Sequence, residues 1–396
     1  MFPAILDLTS TQLAAAEPDE YIRALMRWHF GEETGSPFWL RRARALDFDP
    51  ISDVRTYADL SLFPNVVDEF REVAVEDLIP RGLRGEDRAV AGVFESGGTT
   101  GPPKRFVMFE RWAEFALGWD EFHYSGLGTA NLLAVAPSGP HMFGDFAQRR
   151  ARRQGGLKFT VDLDPRWIKQ LIGRGAMDEV ERYTEHLVDQ AAHIMTTQSV
   201  GILVTTPPLL ERIARREELV ERIRKDVRFI CWSGAHMDAD SRDIFRREIF
   251  PGIPLKGLYG STTVLGMSRE RPWQDADGLD GTNGPDGTVV RDGAVVPDGT
   301  VVRDGAAELD SPAVFDPPSP YITFQVVDPE TRAEVAVGER GQVVMNHLTK
   351  YALIPNNLER DLARRVAPLP GALGSAVSDV APVSTFGSRT VIEGVY

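Results

Sequence analysis

The chain has 396 residues, 42% of them hydrophobic and 26% charged, the make-up of a folded globular protein with room for two or three packed units. Its 44 basic residues against 58 acidic ones leave a net charge of −14, which argues against nucleic acid as a partner, because a phosphate backbone asks for a basic footprint. One cysteine excludes an internal disulfide framework, no apolar run reaches membrane-spanning length, and the start lacks the basic stretch of a secretory signal; the expected setting is cytoplasmic, with no membrane partner.

In chain order, residues 18–31 predict a helix: apolar residues recur every three or four positions, Asp19 and Glu20 sit at the favourable end of its dipole, and Gly31 suits a glycine cap. The apolar run 89–94 predicts a strand that leads into Ser96-Gly97-Gly98-Thr99-Thr100-Gly101-Pro102-Pro103-Lys104, and 111–122 predicts a helix after it. Strand, loop and helix in that order present backbone N–H groups to phosphate. Further strands are expected at 131–136, 201–205 and 227–232, with helices at 166–173, 178–197 and 208–225 between them. Such alternation implies parallel sheet covered by helices. Cys231, inside the apolar run 227–232, reads as a buried strand cysteine rather than a nucleophile. The decapeptide at 285–294 recurs identically at 297–306, a tandem duplication whose Pro-Asp-Gly and Arg-Asp-Gly turns suggest short hairpins or a surface insertion. From Tyr321 onward the texture is β, with strands expected at 322–327 and 341–345.

The loop 96–104 carries the chemistry. Its glycines let backbone N–H groups turn inward as an anion nest, the hydroxyls of Ser96, Thr99 and Thr100 add donors, and Lys104 adds a cation. It is not a Walker loop, because Lys104 lies between Pro103 and Arg105. The order Ser-Gly-Gly-Thr-Thr-Gly-Pro-Pro-Lys instead resembles the phosphate loop of the adenylate-forming superfamily, which holds acyl-CoA synthetases, peptide-synthetase adenylation domains and luciferases. Tyr259-Gly260-Ser261-Thr262-Thr263 resembles that superfamily's Tyr-Gly-x-Thr-Glu motif, and Ser233-Gly234-Ala235-His236 resembles its Gly-Gly-Ala turn. The stretches Val327-Asp328-Pro329-Glu330-Thr331 and 337–344 match the hairpin of its small β unit, and Glu359-Arg360-Asp361 stands where the family has Thr-Gly-Asp. Taken singly, each of these segments also fits a plain turn or a surface acid; it is their order and spacing that carry the resemblance, from about residue 40 to the end.

The resemblance implies an α/β fold: an adenylation core at 1–310 of two helix-covered sheet halves, and a small β-barrel-like unit at 311–396. It implies ATP and Mg²⁺, with phosphates in the 96–101 loop, Lys104 and Thr262 acting on them, adenine by Tyr259, Gly260 and the backbone of residues 233–236, and ribose on Asp361. His141 falls where the family has a residue beside the substrate carboxylate, although a loop histidine without a ligand fits equally. Two departures stand out. Thr263 occupies the place of the glutamate that reaches Mg²⁺, and a hydroxyl is a poorer partner for a hard cation, so the metal would be held weakly, through water, or by another acid such as Glu95. Phe386-Gly387-Ser388-Arg389-Thr390 resembles the entry to the hinge before the mobile lid, so neither the lid nor its lysine is expected.

The wording is similar to that of the enzymes adenylating griseoluteic acid in phenazine antibiotic biosynthesis, and to phenylacetate-CoA ligases. The implied activity is formation of an acyl-adenylate from an aromatic carboxylic acid, with transfer unaided or completed by an acceptor or carrier enzyme. A catalytically weak nucleotide-binding partner or sensor, or an enzyme adenylating another oxyacid such as nitrite, also fits. Arg149, Arg150, Arg152 and Arg153 form either a solvated basic face or an attractor for an anionic substrate.

Overall fold

The computed structural model describes residues 4–7, 17–98, 101–271, 289–291, 294–296, 312–383, 385–386 and 389–390. Helix α1 (Pro18–Phe30) starts on a proline, which loses nothing in a first turn, and buries Ile22, Leu25, Met26 and Trp28. Its side chains fasten it to a distant turn: Tyr21 Oη donates to the Leu348 carbonyl (2.5 Å), Trp28 Nε1 to that of Lys350 (2.8 Å), and His29 Nε2 meets that of Thr349 (2.7 Å). Gly31 ends the helix in an extended conformation at φ −70°, not in the expected left-handed cap. A glycine stands there for space, since a Cβ would lie 2.7 Å from the Arg27 carbonyl oxygen.

The Gly-rich loop does not pass from strand to helix. It joins two antiparallel strands, β1 (Val90–Glu95) and β2 (Arg105–Phe109), and helix α2 (Glu110–Gly118) follows only after β2. The sequence showed one apolar run before the loop; the second strand, Arg-Phe-Val-Met-Phe, was not foreseen.

Among the described residues the main sheet has eleven strands. Its parallel part runs in the order β4 (Lys158–Asp162), β3 (Leu132–Ala136), β5 (Ile202–Thr205), β6 (Phe229–Ser233) and β7 (Leu255–Ser261). β3 and β5 are buried throughout, as continuous apolar strands between helix layers should be. The crossovers carry α3 (Met142–Arg153), α4 (Pro165–Gly173), α5 (Met177–Thr197), α6 (Pro207–Ala214), α7 (Glu217–Asp226) and α8 (Ala239–Ile244). The single helix expected at 208–225 is thus two, parted at Arg215 and Arg216.

Antiparallel strands then extend the same sheet: β8 (Gly266–Glu270) pairs with β7. The first copy of the duplicated segment supplies a separate hairpin, β9 (Val289–Arg291) with β10 (Ala294–Val296), and the second copy lies outside the described residues. β11 (Val314–Asp316), β12 (Ile322–Val327), β13 (Arg340–Leu348), β14 (Leu353–Val366) and β15 (Ala376–Pro382) complete the sheet in the order β8-β11-β15-β14-β13-β12. A bridge between Phe324 and Ser375 brings β12 back toward the start of β15. Eleven of the described strands therefore form one large mixed sheet, in which β8 and β11 couple the parallel strands directly to the β-rich region, while β1 with β2 and β9 with β10 stay apart from it. No helix among the described residues is long and apolar enough to cross a membrane.

Candidate active site

In an open parallel sheet, ligands bind beyond the carboxyl ends of the strands, where loops diverge and helix N-termini converge. Here Pro137 follows β3, Thr206 follows β5, Ser233 and Gly234 end β6, and Ser261, Thr262 and Thr263 end β7. All of them line one cavity of ≈ 240 Å³, together with Ser96, Gly97, Lys104 and His141. A second cavity of ≈ 410 Å³ adjoins it and is lined by Ala235, His236, Tyr259 and Asp361. Gly234, Gly260 and Arg360 line both.

The Gly-rich loop is held at its base. Ser96 N–H donates to the Lys104 carbonyl (3.0 Å), and Lys104 N–H donates to Ser96 Oγ (3.0 Å). Gly98 sits at φ +63°, a left-handed conformation that favours glycine. Gly101 is also described; Thr99 and Thr100 lie outside the described residues. Helix α4, which the sequence marked only as a crossover, lays Arg166 and Lys169 beside this loop: Lys169 Nζ donates to the Gly97 carbonyl (3.5 Å). Burial, with Arg360 and then Arg166 nearby, brings the Lys169 ammonium down to about 6. Lys104 Nζ pairs with Asp68 Oδ1 at 3.0 Å on the rim of the site.

His141 stands just before α3, with Nδ1 3.3 Å from the Glu95 carbonyl. Burial lowers its pKa, so at neutral pH it is an uncharged hydrogen-bonding group. Met142 and Phe143 add an apolar wall. Thr263 lies in the single turn after β7; its N–H donates to Ser261 Oγ (3.1 Å) and its side chain is buried. Gly260 has no room for a side chain, because a Cβ would come 2.4 Å from the Gly266 carbonyl oxygen. At the second cavity, Tyr259 Oη donates to Asp361 Oδ2 (2.9 Å) and His236 Nδ1 meets the Val380 carbonyl (2.6 Å); Ser233 Oγ, on the first, donates to the Leu258 carbonyl (2.8 Å). Gly234, at φ +83°, allows the sharp exit from β6.

The structure adds to three expectations. Glu359-Arg360-Asp361 forms a bulge inside β14. Leu358 pairs with Val344 and Leu362 with Gln342, so these three residues oppose Val343 alone. A bulge re-aims side chains that a regular strand would alternate, and Glu359 and Arg360 reach the first cavity while Asp361 reaches the second. Glu95, the substitute acid for a metal, is instead held by Arg105 (2.9 Å) and Arg166. The arginine run divides: Arg152 and Arg153 are exposed, as a solvated face requires, while Arg149 is half-buried and Arg150 buried. Arg149 pairs with Glu110, Glu114 and Asp145, Arg150 is buried against Asp120 and Glu121, and Arg153 pairs with Glu114 and Glu121, which fastens α3 to α2 and the turn after it. Cys231 is buried in β6 with its thiol pushed up to about 12 by burial, which leaves it unreactive.

Sequence reasoning missed Thr206, Asn357, Glu359 and Arg360 as lining residues. Thr206 had a signal, as the first polar residue beyond an apolar strand run. The bulge had none, because pairing with β13 creates it.

Comparison of the sequence finds no matching family model and no matching curated protein. Solved structures do match. 2-Hydroxyisobutyryl-CoA ligase in the postadenylation state with 2-HIB-AMP superposes with a TM-score of 0.56 at 15% identity, over 93% of this chain and 67% of that one. An open conformation of the same ligase with 2-HIB-AMP and CoA gives 0.55 at 14% identity, over 91% and 72%. ATP-bound MatB from Rhodopseudomonas palustris gives 0.44 at 17% identity over 74% of this chain and 48% of that one, so the chain spans about half the length of that protein. The described residues have the fold of an acid–CoA ligase.

Proposed function

We propose that this protein activates a carboxylic acid with ATP, joining it to AMP and releasing pyrophosphate. The observation that carries this reading is the pair of adjoining cavities at the ends of β6 and β7, one under the Gly-rich loop and the other beside Tyr259 and Asp361. Asp361 offers acceptors to ribose hydroxyls, Tyr259 offers a ring to a base, and the turn 233–236 offers backbone groups. The loop 96–101, Lys104 and Thr262 suit the phosphates, and His141 suits the acid's carboxylate as an uncharged donor.

In the reaction a carboxylate oxygen bonds to the α-phosphorus, the bond to the bridging oxygen breaks, and pyrophosphate leaves with the electron pair. No side chain acts as a nucleophile. The residues hold the two reactants in line and balance charge, the larger part of such a barrier. Lys104 would exchange Asp68 for phosphate oxygen. A divalent cation, when bound, neutralises phosphate charge. Met142 and Phe143 favour a flat aromatic acid, and a secondary-metabolite pathway of the phenazine kind is the setting this suggests, with a thiol or a carrier enzyme as acceptor.

The test incubates the chain with ATP, Mg²⁺ and a panel of aromatic and aliphatic acids and follows pyrophosphate. Release with an aromatic acid is expected. No heat with ATP or AMP in calorimetry, and no release with any acid, overturns the reading. The buried Thr263 motivates a second reading, a nucleotide-binding partner of little turnover; tight ATP binding with no pyrophosphate from any oxyacid, nitrite included, selects it.

A further inference from the structure

We propose that Glu359, and not the residue at position 263, is the carboxylate that meets a divalent cation on the bound nucleotide's phosphates. The inference rests on the nucleotide reading above and deepens it. Mg²⁺ keeps most of its waters and is usually held by one or two carboxylates together with substrate phosphates, so one well-placed acid is enough.

Among the described residues that line the first cavity, Glu359 is the one acid. It shares that wall with Ser96, Gly97 and Lys104 of the loop and with Ser261, Thr262 and Thr263. Thr263 presents a neutral hydroxyl, and Glu95 is spent on Arg105 and Arg166. The bulge of β14 explains how Glu359 arrives. Its carbonyl accepts from Gln342 Nε2 (2.7 Å), which fixes the irregular backbone, and its Oε1 accepts from Asn357 Nδ2 (2.8 Å), which orients the carboxylate. Asp361, from the same bulge, takes the Tyr259 hydroxyl and lines the other cavity. The bulge thus hands one acid to the phosphates and one to the ribose. An acid on β14 takes over what the resembling family assigns to the position of Thr263.

The experiment is calorimetric titration of the full chain with ATP in EDTA, with ATP plus Mg²⁺, and with AMP. Wild type is expected to bind the magnesium complex at least tenfold more tightly than metal-free ATP. Glu359→Gln should lose that tenfold advantage and keep AMP affinity within threefold, and Glu359→Asp should retain part of it. Thr263→Val should keep the advantage within threefold, and Thr263→Glu should restore it in the Glu359→Gln background. Electron paramagnetic resonance of Mn²⁺ with ATP should show a bound-metal signal in wild type that Glu359→Gln loses. A Glu359→Gln protein that keeps the metal advantage, or a Thr263→Val protein that loses it, overturns the proposal. Failure of wild type to bind AMP or ATP at all overturns the nucleotide reading with it, an outcome distinct from binding without a metal effect.

Discussion

The sheet sets two glutamates in contrasting company. Glu270, at the end of β8, is 2% exposed and enclosed by Arg242, Arg246 (3.1 Å) and Lys256 (3.9 Å), and it accepts from the Gly257 N–H at 2.7 Å. Burial alone would raise its pKa, but these partners outweigh burial and hold it below the usual carboxylate range. Glu359, on the bulge of β14, is raised instead, by burial and then by the neighbouring charge of Asp361, against a smaller opposing effect of Lys104. An acid whose partners are all supplied by the fold belongs to the architecture. An acid set into a cavity wall beside another acid suits a cation that arrives with a ligand.

The largest expected effect breaks the first of these. Removing one member of a buried ion network leaves uncompensated charge, so Glu270→Ala should cost about 3–5 kcal/mol in chemical denaturation. Glu359→Gln should leave the midpoint almost unchanged, and equal losses from both would erase the contrast.

Acid should sharpen it, because neither glutamate is the first group to fail. Burial lowers His29 to about 4 and His347 to about 3, against an ordinary value near 6.5. The unfolded chain therefore takes up protons that the folded chain refuses. Stability is complete above about pH 6.5 and falls as the pH drops toward those folded values. Each histidine should remove about 2 kcal/mol by pH 5, and melting curves at stepped pH will measure it.

A smaller effect tests the boundary between the two regions, where β7 meets β8. Gly260→Ala would drive a Cβ into the Gly266 carbonyl, at a cost of about 2 kcal/mol and with loss of nucleotide affinity, read by melting and by AMP titration. The smallest belongs to the bulge. Tyr259→Phe removes one hydrogen bond to Asp361, worth about 1 kcal/mol, and should weaken AMP binding about fivefold without touching the Mg²⁺ advantage.

Much of the fold was legible as periodicity. Helix α1, the α4–α5 crossover and strands β3, β5, β6 and β12 follow from apolar spacing, because each buries a face set by its own period. β2 was lost because five residues are too few for their period to tell a strand from the approach to the helix that follows. The arginine run was legible only in part, because most of the acids that pair with Arg149, Arg150 and Arg153, namely Glu110, Glu114, Asp120 and Glu121, come from outside its own helix; charge in sequence says nothing of which acids will face it.

The sequence by itself located the Gly-rich loop at 96–104, the parallel βα units and the segment around Tyr259, since these depend on local chemistry: glycine freedom, hydroxyl donors and apolar period. Only the tertiary structure decided that the loop is a hairpin tip, that one sheet carries both cavities, and that Glu359 and Asp361 turn to different ones. Those outcomes depend on strand pairing between residues far apart in the chain, and a bulge exists only in relation to the partner that fails to match it.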